Sequence, residues 1–364
     1  MPSRQRLRPA THVLRRAPGE LQFGTDPRWA VRFVGLDAAE ETWMHAMTGT
    51  RPARTDASGL SAARRTTLLR LLRDARLLVP PPSSTAVSPA PGGGEAEAGV
   101  LGALLPDGDA HRVLAGRARA TVAVVGLGRV GATLATTLTT AGVGTVTLHD
   151  TSPVLVTDVG LGGYRMRDVG ARRDVALTRL LGEISPDVRT RCAPSSGAAG
   201  GSGPPDLVVV IEHRAADPGR VRELVGDGVA HLSVVVREAD VLVGPFVRPG
   251  LDPCLRCVDL HRAEIDPCWP QVAQQLRDVS APEHEESVVA AVAASVAAGQ
   301  VLAFVDGSVP RTAAACLEIP APDAMPRLRE TSRHPLCGCG ELTSAPPDGA
   351  PLARSARTSG RGRG

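Results

Sequence analysis

Between Arg119 and about residue 320, short runs of β-branched apolar residues alternate with longer stretches whose apolar positions recur every three or four residues. Thr121–Val125, Thr145–Leu148, Leu207–Ile211, His231–Val236 and Val241–Phe246 have the period and residue types of strands. Val130–Ala141, closed by Gly142, reads as a helix, as do Arg172–Leu181 and Pro218–Val225. Such alternation predicts an α/β fold whose mostly parallel, doubly wound sheet carries helices on both faces. Residues 1–80 have another texture. Leu21–Phe23 and Ala30–Val34 are strand-like and residues 38–47 are helical. Across Ser61–Leu78, Leu68, Leu69, Leu71 and Leu72 stand against Arg64, Arg65, Arg70 and Arg73, an apolar stripe with a basic back. This mixture predicts a small winged-helix-like N-terminal domain.

Residues 81–110 follow Pro80, contain Gly92-Gly-Gly94 and lack apolar periodicity, so they predict a Pro/Gly-rich linker. The Ser- and Gly-rich stretch Pro194–Pro205 predicts a flexible insert, and residues 341–364 a disordered tail. The expected plan is therefore an N-terminal domain over 1–80, a linker over 81–110, a nucleotide-binding-type domain over 111–340 and a tail.

Composition narrows the chemistry. Forty-one basic residues oppose 38 acidic ones, a net charge of +3 that predicts neither a nucleic-acid nor a membrane partner. Aromatic content is 2%, too sparse for recognition by stacking. There is no Lys, which excludes a P-loop lysine and a Schiff base, and no Asn, which excludes N-glycosylation. The apolar run Val288–Val305 would span about 27 Å as a helix, short of a bilayer core of about 30 Å, and predicts a buried packing helix. Met1–Gly19 lacks the apolar stretch of a secretory signal. The expectation is a soluble cytoplasmic protein whose seven Cys are metal ligands or free thiols.

Two constellations carry chemistry. Gly126, Gly128 and Gly131 form Gly-Leu-Gly-Arg-Val-Gly between a strand and a helix, and Asp150 ends the next strand. The first glycine permits a tight turn, the second lets phosphate approach the backbone, and the third lets helix and strand pack closely. The helix start then faces an anion, and the acid is placed for ribose hydroxyls. This is the fingerprint of a Rossmann-like nucleotide site; a turn kept only for packing is the alternative. Cys254 and Cys257 form Cys-x-x-Cys, and Cys337 and Cys339 form Cys-x-Cys beside His334. Two thiol pairs on turns suit a structural four-thiolate Zn²⁺ site, with His334 as a substitute ligand and four buried thiols as the alternative. Cys192, Cys268 and Cys316 have no such pairing.

The glycine motif, Gly142–Asp150, Asp168–Arg173, Glu183–Val188 and the late cysteine pairs together resemble the ThiF/MoeB, ubiquitin-activating-enzyme-like superfamily over about 112–340. The resemblance implies ATP and Mg²⁺ as cofactors, a structural zinc, a homodimer, and adenylation of the carboxylate of a ubiquitin-like protein or peptide. The N-terminal segment, with Leu21-Gln-Phe-Gly-Thr-Asp-Pro27, is similar to the extra domain of ThiF-like proteins in peptide natural-product pathways. There it implies a holder for a precursor's leader peptide.

The chain departs from the pattern. The family's Asn-x-x-Arg element has no Asn here, and the aligned stretch leaves Arg165 or Arg167 to meet phosphate. The family's phosphate-binding Lys falls on Arg173, and its Mg-binding Asp falls near Glu212-His213, with Glu212 the better ligand. The expected catalytic residues are thus Arg165, Arg173 and Glu212, with Gly126, Gly128, Gly131 and Asp150 on the nucleotide. Cys254, Cys257, Cys337 and Cys339 would hold zinc. A degenerate partner that binds a leader peptide for a separate modifying enzyme is the second reading. An NAD-linked oxidoreductase is the third.

Overall fold

The structure, a computed structural model, describes residues 6–27, 29–47, 59–80, 94–192, 204–279 and 284–340. The N-terminal region runs β1 (Arg6–Leu7), β2 (Val13–Ala17), β3 (Glu20–Phe23), β4 (Val31–Val34), α1 (Ala38–Ala46), α2 (Ala62–Asp74) and β5 (Leu78–Val79). Strands β2, β3 and β4 form an antiparallel meander, and β1 pairs antiparallel with β5. Leu21, Phe23, Trp43, Met44, Leu68 and Leu72 form their core, with Phe23 edge-to-face on Phe33. Asp37 and Glu40 close the start of α1 with a reciprocal capping box, and Glu40 also pairs with Arg64 of α2. The helix expected over 61–78 ends at Asp74. Arg76 takes φ +56° there, turning the chain so that Leu78 and Val79 pair with β1.

The second half of the expected linker is helical instead. α3 (Gly94–Leu104) and α4 (Ala110–Arg119) follow one another closely. Ala and Glu at 95–98 are strong helix formers, and Glu95 and Glu97 lie in the first turn, where the helix dipole favours acids. Arg117, its side chain 4% exposed, donates to both carboxylate oxygens of Asp306 at 2.9 and 2.7 Å, to Glu97 at 3.0 Å and to the Ala141 carbonyl at 3.1 Å. One guanidinium thereby fastens α3 and α4 to the body of the protein. The stretches 81–93, 193–203 and 341–364, which take in the first part of the expected linker, most of the insert and the tail, lie outside the described residues.

The body continues with β6 (Thr121–Val125), α5 (Arg129–Thr140), β7 (Thr145–His149), α6 (Arg173–Ile184), β8 (Arg189–Cys192), β9 (Leu207–His213), α7 (Pro218–Gly226) and β10 (His231–Val236). It closes with β11 (Asp240–Val247), α8 (Leu255–Ile265), α9 (Trp269–Asp278), α10 (Ser287–Val305), β12 (Ala315–Pro320) and β13 (Arg327–Glu330). The eight-stranded sheet is ordered β13-β12-β11-β10-β9-β6-β7-β8. β8, β7, β6, β9 and β10 are parallel; β11 to β13 are added antiparallel. The largely parallel sheet matches the expected Rossmann-like architecture.

Alternate residues serve opposite faces. Val122 and Val124 of β6 and Val209 and Ile211 of β9 pack with α5, α6 and α10, whereas Ala123, Val208 and Val210 meet Leu224 and Val229. Among the described residues only Ser287–Val305 is long and apolar enough to cross a bilayer. Its small residues Ala290, Ala293, Ala294, Ala297 and Ala298 are buried in the core, where α10 lies against α5. The strand order reverses at β6, opening a crevice beyond its carboxyl end.

Candidate nucleotide site and metal centre

Three glycines form the floor of that crevice. Gly126 takes φ +85°, and a Cβ on it would lie 2.3 Å from the Ile211 carbonyl oxygen. A Cβ on Gly131 would lie 2.0 Å from the Gly126 carbonyl oxygen. No other residue permits this closeness between turn, strand and helix. Gly128 is the N-cap of α5, leaving the first helical amides without a side-chain cap from their own chain end.

Asp150 reaches the same loop. Its Oδ2 accepts from the Leu127 amide at 3.0 Å and from Arg173 Nη1 at 2.9 Å, and its Oδ1 accepts from the Ser152 amide at 2.9 Å. Burial pushes this carboxyl up, but the Leu127 amide, Arg173 and Ser152 outweigh it and hold the group below the ordinary carboxylate range. Arg173 also donates through Nε and Nη2 to Asp158 at 2.9 Å each. Its guanidinium, expected to be free for phosphate, is thus committed to two carboxylates and fixes Asp150. Tyr164, fully buried, puts its hydroxyl 3.0 Å from the Leu127 carbonyl and 3.2 Å from that of Arg173, binding loop to clasp.

The side chains of the remaining candidates make no hydrogen bond to this cluster among the described residues. Arg165 is exposed, and its guanidinium has no ion-pair partner among the described residues. Glu212 is the expected Mg²⁺ ligand. It lies on the α7 face of β9, accepting from the Asp217 amide at 3.2 Å and pairing with Arg220 at 2.9 Å, and burial raises its pKa. The strand's period of two turns His213 toward the crevice instead, where its Nε2 lies 3.0 Å from Glu285 Oε1. Sequence reasoning missed Asp158, Tyr164 and Glu285. Tyr164 is the sole tyrosine, which is a weak signal; the other two lie outside any recognisable spacing.

The four cysteines converge. Sγ–Sγ distances are 3.9 Å for Cys254–Cys257 and 3.4 Å for both Cys254–Cys337 and Cys257–Cys339, and all four ligand atoms lie within 4.8 Å of one another. Tetrahedral zinc with sulfur at about 2.3 Å needs edges of about 3.8 Å, so the residues fit this metal. Burial pushes the Cys254 and Cys339 thiols up, and a divalent cation is the charge that would let four thiolates coexist. His334 is not a fifth donor. The Leu336 amide donates to its Nδ1 at 3.1 Å, which leaves the proton on Nε2 to bond Glu264 at 2.9 Å. That same tautomer disfavours a second metal at the His261, Glu264 and His334 cluster.

The sequence profile of the ThiF family matches residues 114–339. The chain belongs to the ThiF family. No curated protein sequence matches this ThiF-family chain. Among solved structures it is similar to E. coli MccB with ATP, at 16% identity and TM-score 0.64, covering 92% of this chain and 99% of that one. MccB, described as a microcin C7 biosynthetic enzyme, in complex with N-formylated MccA gives 15% identity and TM-score 0.64, with the same 92% and 99% coverage. PaaA gives 16% identity and TM-score 0.66, covering 89% of this chain and 99% of its own. At these identities the likeness concerns the fold.

Proposed function

We propose that this ThiF-family protein is an ATP-dependent adenylyltransferase that activates a carboxylate of a precursor peptide or a ubiquitin-like protein. The observation that carries the reading is the hydrogen-bonded joining of the glycine turn, through the Leu127 amide, to Asp150 at the sheet's switch point. MccB's crystallisation with ATP and with MccA supports a nucleotide and a precursor peptide as ligands. On this reading Asp150 binds ribose, held in place by Arg173. The amides that open α5 stabilise phosphate charge, and exposed Arg165 is free to approach it. Bound ATP supplies an α-phosphorus that the substrate carboxylate can attack, so no protein nucleophile is required. Glu212 faces α7, so Mg²⁺ would enter with the phosphates rather than on that residue.

The accessory parts follow. Zinc on the four cysteines would anchor the start of α8, and the N-terminal region, as a winged-helix-like module, would hold a leader peptide. A soluble, cytoplasmic homodimer completes the proposal. The test is ATP–pyrophosphate exchange with candidate precursor peptides, abolished by Asp150→Ala.

A second reading has its own observation. Arg173 is already satisfied by Asp150 and Asp158, and His213 stands where a Mg-binding acid is expected. These features favour a partner protein that binds the precursor for a separate modifying enzyme. Tight peptide binding without exchange would decide for it.

A further inference from the structure

The start of α5 already holds an anion, and it belongs to the chain itself. Glu285, in the turn before α10, places Oε2 2.6 Å from the Val130 amide and Oε1 3.0 Å from His213 Nε2. Its side chain is 7% exposed. A Cβ on Gly128 would lie 2.5 Å from Oε1, so any side chain there would push the carboxylate away. Arg129 fixes the turn's backbone, donating through Nη1 to the Glu285 carbonyl at 2.5 Å and through Nη2 to the Thr157 carbonyl at 2.7 Å. The neighbouring Glu286 does other work, capping α10 itself through the Val288 and Val289 amides at 2.9 Å each. Two adjacent glutamates therefore close two different helix starts.

A carboxylate at a helix N-terminus meets the same amides and dipole that a phosphate would. Two anions repel one another there. We infer that Glu285 is a built-in competitor for the phosphate end of the nucleotide site, one that must leave the Val130 amide before a triphosphate is seated. It thereby sets both affinity and charge selectivity. The inference rests on the nucleotide reading above. When only the fraction of molecules with the seat open can bind, apparent affinity falls by that fraction, and a charge-assisted contact supports about a ten- to hundredfold penalty.

The experiment is isothermal titration of the full, zinc-replete chain with Mg·ATP, inorganic pyrophosphate and adenosine. Glu285→Gln should bind Mg·ATP and pyrophosphate at least about tenfold tighter than wild type, with adenosine unchanged. Glu285→Ala should move the same way, and Glu286→Gln should match wild type. The inference is overturned if Glu285→Gln gains no affinity for Mg·ATP, including the case in which neither protein binds it. An equal gain for adenosine also overturns it. Tighter binding by Glu285→Gln without pyrophosphate exchange in either protein sinks adenylation and leaves the competitor standing. Exchange by wild type with no gain in the variant does the reverse.

Discussion

Replacing Arg173 with methionine removes a guanidinium that three-way hydrogen bonding holds between Asp150 and Asp158. The side chains are 11%, 12% and 8% exposed, so the two carboxylates would lose their counter-charge largely out of water. Breaking a buried pair by deleting one partner costs about 3–5 kcal/mol. Asp150 keeps the Leu127 and Ser152 amides and Asp158 keeps that of Leu155, which places the expected loss near the lower end, about 3 kcal/mol. At about 2–4 °C per kcal/mol for a unit of this size, the melting temperature should fall by roughly 6–12 °C. Scanning calorimetry of the unliganded protein measures it. Arg173→Lys should recover only part of the loss, since one ammonium cannot reproduce a planar fork spanning two acids.

The pH dependence has a definite sign. Asp150's folded pKa is depressed, so its contribution is present above an unfolded value of about 3.9 and is lost as pH falls through the folded value. The wild-type advantage over Arg173→Met should therefore shrink below about pH 4. A variant that melts within about 1 °C of wild type but loses ATP affinity would refute the clasp and restore Arg173 as a phosphate ligand.

Other outcomes are expected. The purified chain should carry about one zinc per molecule by atomic emission, and Cys337→Ser should lose it and melt lower; a metal-free protein of unchanged stability would contradict the four-sulfur site. Gly131→Ala should cost about 3 kcal/mol in urea unfolding, the upper end of overpacking penalties, because the new Cβ meets backbone rather than a movable side chain. Glu212→Gln should leave Mg·ATP affinity within about twofold by titration, since a group on the α7 face has no differential contact with the ligand; a tenfold loss would return it to the metal.

The sheet was legible because buried parallel strands such as Thr121–Val125 and Leu207–His213 are nearly continuous apolar runs, and Gly126, Gly128 and Gly131 punctuate the turn between strand and helix. The four cysteines were legible from spacing alone. What could not be read was the side-chain pairing across the crevice. Whether Arg173 meets phosphate or Asp158 depends on where the short helical turn Val156–Asp158 folds back, which no local period encodes. Glu212 and His213 differ by a single step along β9, and a one-residue uncertainty reverses their faces. Glu285 arrives from a turn far along the chain, so its approach to α5 is purely tertiary. The helix at 94–104 was obscured by the glycines preceding it.

The cysteine cluster also governs the connectivity of the molecule. Its long-range contacts join positions 83 and 82 residues apart, so a bound cation would turn the span from α8 to the segment after β13 into a ring. That ring contains α10 and the edge strands β12 and β13, as well as the turn bearing Glu285. Loop-closure entropy makes such a tie more valuable the longer the span it closes. Metal supply in the cell would thus govern how firmly that quarter of the protein is cinched, while the glycine turn itself lies outside the ring.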